Sequence, residues 1–420
     1  MAPAVGTPPG GVRRNPRHGP AGRTLGDRLH TPAQPVARLP AQWIRLRKRF
    51  SIAGGASLSA TRQAARQRGR RRPPGVLVGA QLFLALAILA TIVISAATGP
   101  ADVGVADAVR VIIGHLIPDA PWMRDGSITR LQDQTVWQFR LPRTLLAGLA
   151  GAGLALAGAL MQAAVRNPLA EPYVLGVSAG ASVGAVSVIT LGSAAVGGLP
   201  LSGAAFLGAL GATAAVYLLA RQQGVLAPTR MILAGVALGS LLSAVTSYLT
   251  LTTEAQNVFS VLFFLLGSVS AATMDQLTVP AAALAAVALY ALANARALNA
   301  LLVGDENATA LGVNVNRLRG NLVIAASLLT GAVVAVSGGI GFVGLVIPHA
   351  ARILVGADHR RMLSVAILGG ALFLMAADVL ARTVAAPTEI PIGIVTAVVG
   401  APCFLWLIRQ GRAARAGMLR

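Results

Sequence analysis

The chain has 420 residues, 55% hydrophobic and only 12% charged, with a mean hydropathy of +0.70. A soluble domain of this length would carry about 25% charged residues, so the composition places the chain in a bilayer. The formal charge of +21 does not mark a nucleic-acid-binding surface, because residues 1–75 hold sixteen Lys and Arg against one acid, Asp27, which leaves only +6 for everything else.

That first segment is rich in Pro and Gly and has no apolar period, which predicts a disordered, basic cytoplasmic tail lying against anionic lipid. It lacks the interleaved aromatic residues of a single-strand nucleic-acid binder, and no nucleic acid is expected as a partner. Trp43–Phe50 (WIRLRKRF) has the composition of an amphipathic anchor. The first long apolar stretch begins near Val76, so no cleavable signal peptide is expected. Cys403 is the single cysteine, which excludes an intrachain disulfide and a thiolate metal cluster.

A bilayer core needs about 20 apolar residues per helix. Ten stretches meet or approach this, at 76–97, 144–163, 174–191, 200–220, 230–251, 277–295, 320–337, 341–356, 362–382 and 391–408. Ten crossings put both ends on one side. Arg221 and Arg230, Arg296, Arg317 and Arg319, Arg360 and Arg361, and the terminal Arg409, Arg412, Arg415 and Arg420 all fall at alternate connections on the side of the basic amino terminus. By the positive-inside rule that side is cytoplasmic and both termini face it. The opposite connections are neutral, as at 192–199, or balanced, as at 98–143, where five arginines meet five aspartates. The segment 98–143 predicts short surface helices. The apolar segment 255–268 predicts a helix in or near the outer interface. Gly176, Gly180 and Gly184 recur at four-residue spacing, as do Gly235 and Gly239, which lets helix backbones approach closely.

Some chemistry is missing. A P-loop needs a lysine after its glycines, and the chain's single lysine, Lys48, is in the tail. An ion-coupled carrier is expected to hold carboxylates in mid-membrane, yet Asp378 alone falls well inside an expected span, four residues before Arg382, as a helix-surface ion pair would require. His349 and His359 stand ten apart with no HExxH, so neither a metal site nor a catalytic constellation is expected.

Longer motifs are specific. WQFRLPRTLLAGLAGAGLALAGALMQAAVRNPLAEPYVLGVSAGAS (137–182), ILAGVALGS (232–240), GDENATALGVNVNRLR (304–319), GGIGFVGLVIPHAARILVG (338–356) and ADVLARTVAAPTEIPIGIVTAVVGAPCFLWL (377–407) occur in order. Over residues 76 to about 410 the chain resembles the FecCD-like permeases of iron-siderophore, haem and cobalamin ABC importers, of the type II class.

The resemblance implies an all-α, polytopic membrane protein of about ten transmembrane helices, with residues 1–75 and 411–420 as cytoplasmic tails around a permease domain at 76–410. It implies a multi-pass protein of the bacterial inner membrane that is not itself an enzyme. Its partners would be two ABC ATPase subunits, an extracytoplasmic substrate-binding protein, and a second permease copy or paralogue. ATP and Mg would be held by the ATPase subunits, and no cofactor by this chain. Gly304, Asp305, Glu306, Ala308, Leu311 and Gly312 match the family's ATPase-coupling loop; there Asp305 could cap a short helix, with Ala308 and Leu311 on one apolar face. Arg140, Arg143 and Arg382 match the outer arginines that meet acidic lobes of a binding protein; anchoring of helix ends is the alternative role. Leu226, Ala227, Pro228 and Thr229 match the loop before the fifth span, which gates the pathway that Gly235 and Gly239 would line. Asn167 and Pro168 match an NPLA motif at a helix break, where irregular backbone is expected to be buried in protein. The implied function is import of a ferric siderophore, the alternatives being haem or cobalamin, or ion-coupled secondary transport.

Since every motif lies beyond the tail, deletion of residues 1–70 is expected to leave substrate uptake largely intact; uptake assayed at matched membrane abundance checks this.

Overall fold

The computed structural model describes residues 74–416 other than 100, 102, 223 and 224. The basic tail and its Trp43–Phe50 segment lie outside the described residues. What is described is all-α apart from a two-residue antiparallel hairpin pairing Arg221–Gln222 (β1) with Val225–Leu226 (β2). The long helices are α1 (Pro74–Ala97), α4 (Leu141–Val165), α5 (Val177–Leu191), α6 (Leu201–Ala220), α7 (Pro228–Thr252), α9 (Thr278–Ala293), α12 (Val315–Ser337), α13 (Val343–Val355), α14 (His359–Thr383) and α15 (Ile392–Ala416). Each falls on one of the ten expected apolar stretches. Among the described residues seven helices are long and apolar enough to cross a membrane; Val177–Leu191, Ala255–Leu266, Val343–Val355 and Ile392–Trp406 are shorter apolar helices.

Between α1 and α4 the acidic and basic stretch folds as expected into short pieces, α2 (Val105–Leu116), α3 (Arg130–Gln134) and a π-helical turn, Thr135–Arg140. They form a small cap of their own around Val111, Ile128 and Val136. Thr129 starts α3 with a full capping box to Gln132. His115 stacks on Trp137 at 4.0 Å and bonds Asp133 at 2.7 Å.

Helix α4 is the axis of the bundle: every residue except Leu145 and Leu149 is buried, against α14, α12 and α13. Its sequence explains how so many neighbours fit. Gly151 meets Gly370 of α14 and Gly158 meets Gly344 of α13 so closely that a Cβ on either member of the first pair, or on Gly158, would overlap the opposing backbone. The same device joins α5 to α6 through Gly180 and Gly208, which accounts for the four-residue glycine spacing. Gly176, the third of that row, instead precedes α5 with a φ of +72° and turns the chain into it.

Two irregular segments face each other inside the bundle. After α4, Arg166 adopts a left-handed conformation (φ +55°) and the chain runs through Asn167–Pro168 into a turn of 3-10 helix, Pro172–Leu175. After α12, residues 338–342 break the chain before α13, with Phe342 also left-handed (φ +68°). In hydrocarbon these backbone groups need partners. The Tyr173 hydroxyl donates to the Ile340 carbonyl (2.8 Å) and accepts from the Ile340 N–H (2.9 Å), while Glu171 accepts from the Phe342 N–H at 3.1 Å. The apolar segment after α7 forms α8 (Ala255–Leu266), whose carboxyl end is bonded to this break: Gly339 N–H donates to Phe264 and Ser268 N–H to Ser337. Helix α8 is therefore tied into the bundle at its carboxyl end.

Burial of the break at Asn167–Pro168 is not as expected. Pro168 and Leu169 are exposed and Asn167 is half-buried, with its side chain accepting from the Leu169 N–H at 2.9 Å. The expected enclosure begins only at Ala170; the turn before it satisfies its own polar groups and needs no cover.

Because Gly158 has no room for a side chain, Gly158→Leu is expected to cost about 2 kcal/mol through overpacking, whereas Gly211→Ala, where nothing lies within 4 Å, should be neutral. Thermal unfolding of the detergent-solubilised proteins measures both.

Candidate functional site

Three regions gather the residues that the sequence singles out, beginning with an open trough between α5 and α7. Helix α7 starts at Pro228, whose fixed φ suits the first helical position, with Ala227 as the cap residue directly after the β1–β2 hairpin. Of its 25 residues only Met231, Gly235 and Thr246 are buried. Gly235 lets α7 sit on the Val174 carbonyl, and Gly239 lies over Gly176. Beside this crossing is a cavity of about 770 Å³ that includes Gly235, Gly239, Ser178, Ser182, Ser243 and Ser247 in its walls. Ser240 and Thr246 return their hydroxyls to their own helix, while those of the other four serines have no partner among the described residues. No charged side chain lines the trough. Ala227, Pro228 and Thr229 lie at the entrance to α7, and Asn167 and Pro168 follow α4; none of the five lines the cavity. Tyr173 and the hydroxyl row were not singled out from sequence, although serines at 240, 243 and 247 share a helix face and give a readable signal.

The loop after α9 contains α10 (Ala295–Leu301) and α11 (Asp305–Ala310). Asp305 does not cap α11 as expected. Gly304 occupies the cap position with a φ of +117°, and the Asp305 carboxylate instead accepts from Arg319 (3.0 and 3.2 Å) and Arg166 (3.0 Å). Two guanidinium groups outbid a backbone N–H for one carboxylate. Burial opposes its ionisation, but these arginines outweigh that and hold its pKa below the usual carboxylate range. Ala308 and Leu311 do not share one buried face: Ala308 packs on the bundle, and Leu311, in the turn after α11, is 71% exposed. Glu306 and Gly312 are exposed beside it, and Gly312 has a φ of +82°.

At the other end lie the three arginines. Arg140, set by the π turn, donates to the carbonyls of Ala96 (2.8 Å), Ala97 (3.1 Å) and Ala101 (2.6 Å), closing the carboxyl end of α1, where helix carbonyls lack partners. Arg382 bonds Ser95 there as well, and Ser95 in turn bonds Thr144. Arg143 donates from Nε to Asp378 (2.8 Å) and from Nη1 to both oxygens of Glu389 (2.8 and 2.9 Å). The expected ion pair of Asp378 with Arg382 is present, but it is buried and not on the helix surface, and Asp378 is shared with Arg143. It is 1% exposed, its closest cation comes from another helix, and Arg382 stands farther off at 3.3 Å. Four-residue spacing identified only the neighbour on the same helix, and packing of α14 on α4 supplied a better one. All three guanidinium groups border an open cavity of about 720 Å³ with Glu389 on its rim. Three cations face two carboxylates there, leaving one net positive charge.

Removing one partner of a buried pair leaves the other charge uncompensated. Arg143→Ala is expected to destabilise the protein by about 3 kcal/mol and Arg143→Leu combined with Asp378→Leu to recover most of it, as read from thermal unfolding in detergent.

With this geometry established, the relatives can be compared. Residues 86–410 match the FecCD transport family. The chain is 44% identical over 275 residues to the cobalamin import system permease protein BtuC of Halobacterium salinarum, covering 66% of this chain and 73% of that one. It is 42% identical over 294 residues to the hemin transport system permease protein HmuU of Yersinia pestis, covering 67% and 85%. Among solved structures, a metal-chelate type ABC transporter in an inward-facing conformation is similar at a TM-score of 0.68 and 33% identity, across 80% of this chain and 100% of that one. The all-α bundle, its glycine crossings and these matches have one source: the chain belongs to the FecCD transport family of multi-pass membrane permeases.

Proposed function

We propose that this chain is the translocating subunit of an ATP-driven importer that carries a ferric siderophore into the cytoplasm. The observation that carries this reading is the trough between α5 and α7: it is large, lined by small residues and unpaired hydroxyls, free of charge, and open along a helix with 22 of its 25 residues not buried. A second copy or a paralogue facing that helix would close the trough into a passage. Hydroxyl groups offer hydrogen bonds to an oxygen-rich chelate without gripping it by charge, which suits a path a ligand must leave as readily as it enters. Haem and cobalamin are the competing cargoes, favoured by the names of the two relatives.

On this reading the loop at 304–312 meets an ATPase subunit through its exposed residues Glu306, Leu311 and Gly312, with ATP and Mg bound by that subunit. Arg140, Arg143 and Arg382 serve at the opposite end. Their bonds within the chain make them the floor of a cavity, so an acidic side chain of a substrate-binding protein would have to reach in to meet the net positive charge. Such pairing steers encounter and fixes register more than it adds affinity.

Reconstitution into liposomes with the ATPase and the binding protein is expected to give ATP-dependent accumulation of a ferric hydroxamate in preference to haem or cobalamin. Accumulation of haem or cobalamin alone would reassign the cargo, and ATP-independent exchange driven by an ion gradient would overturn the importer reading. In the same system Arg140→Gln should lower binding-protein affinity at low salt, measured on nanodisc-embedded complexes; parent-like affinity would leave Arg140 as an anchor for α1.

A further inference from the structure

At the inner end of the bundle one carboxylate ties α11 both to the neighbouring α12 and to α4, which is 139 positions away in sequence. Asp305 opens α11, Arg319 lies in the second turn of α12, and Arg166 ends α4. The two arginines are not equivalent. Arg166 reaches Asp305 through an exposed pair in which its side chain is 46% accessible, and such pairs contribute little. Arg319 is 5% accessible and holds two things at once: Nη2 bonds Asp305 at 3.0 and 3.2 Å, and Nε bonds the carbonyl oxygen of Ala164 at 2.8 Å. That carbonyl belongs to the last turn of α4, where helix acceptors have no partner of their own. A guanidinium has donors on two edges of a rigid plane and spans both contacts, which an ammonium does not.

We infer that Arg319 is a positioning residue that transmits displacement of α11 to the inner end of α4. The inference rests on the reading of residues 304–312 as the contact with an ATPase subunit. The other contacts of α11 support it. Ala308 is seated on the bundle while Leu311 and Glu306 are exposed, so a load enters on the exposed side and leaves through Asp305. From there α4 runs 25 residues with its glycines locked to α13 and α14, and it bears Arg143 at its far end. A helix so enclosed cannot bend away from a push at its end, so it moves with the helices to which its backbone is locked.

The test uses the complete complex of permease, ATPase subunit and binding protein in liposomes, with three readouts: co-purification of the ATPase subunit, ATP hydrolysis, and substrate imported per ATP. Arg319→Gln is expected to keep the ATPase subunit bound and hydrolysing while import per ATP falls about tenfold, the scale of mutations along coupling networks. Arg319→Lys keeps the charge but loses one of the two contacts, and it should fall by a smaller factor. Arg166→Gln should fall least. A purely structural role would lower membrane abundance and melting temperature without changing the ratio. Parent-like import per ATP in Arg319→Lys overturns the two-point tie, whether or not Arg319→Gln reaches the membrane; loss of the ATPase subunit from Arg319→Lys overturns it too, since the tie would then merely shape the contact face. Leu311→Asp tests the underlying reading separately. It should release the ATPase subunit, and retention of that subunit with normal import would show that the loop is not the contact.

Discussion

A helix already surrounded by hydrocarbon gains nothing by hiding leucines from lipid, so this bundle depends on how closely its backbones can approach. Helix α4 shows the constraint most clearly. Its glycines are placed where α13 and α14 cross it, and with them the opposing chains touch backbone to backbone over a helix with 23 of its 25 residues buried. Dispersion at that range takes over the work that water exclusion does in soluble proteins. All three candidate regions are set by this axis: one end reaches the three arginines, the other reaches α11, and the two irregular segments beside it leave the wall on which α7 rests.

Polar chemistry inside the bundle faces a second constraint, that backbone groups freed where a helix breaks need partners, although a few buried side-chain atoms, such as Ser327 Oγ, have none among the described residues. The breaks at 166–176 and 338–342 are admissible because they complete each other through Tyr173 and Glu171. The carboxyl end of α1 is admissible because Arg140 and Arg382 close it. Both arginines therefore have an anchoring task within the chain, and any meeting with an acidic partner is added to that task.

Much of this was legible in the sequence, and the reason lies in period and length. Ten apolar stretches with arginines at alternate ends fix helices and connections, because hydropathy and length are properties of single segments. The loop at 304–312 and the helix break at Asn167 were legible as motifs. Partner choice was not. Asp378 was read against Arg382 because both lie on one helix, yet its nearer cation is Arg143, which is 235 positions away. Asp305 was read as a cap, yet Arg319 and Arg166 occupy it. Glu171 and Tyr173 drew no notice because their partners are backbone groups of a segment 167 to 171 residues on. Such pairings arise only once α4, α12 and α14 have packed.

The unclosed wall between α5 and α7 has a further consequence when the second copy is this same chain. Two identical subunits around a twofold axis present the same row of serines from both sides. A ligand without that symmetry meets two equivalent sets of donors. Its best orientation is then always matched by a second of equal energy, reached by turning half a revolution. Symmetry thus gives every asymmetric pose a twin, doubling the ways to bind without altering the depth of either well.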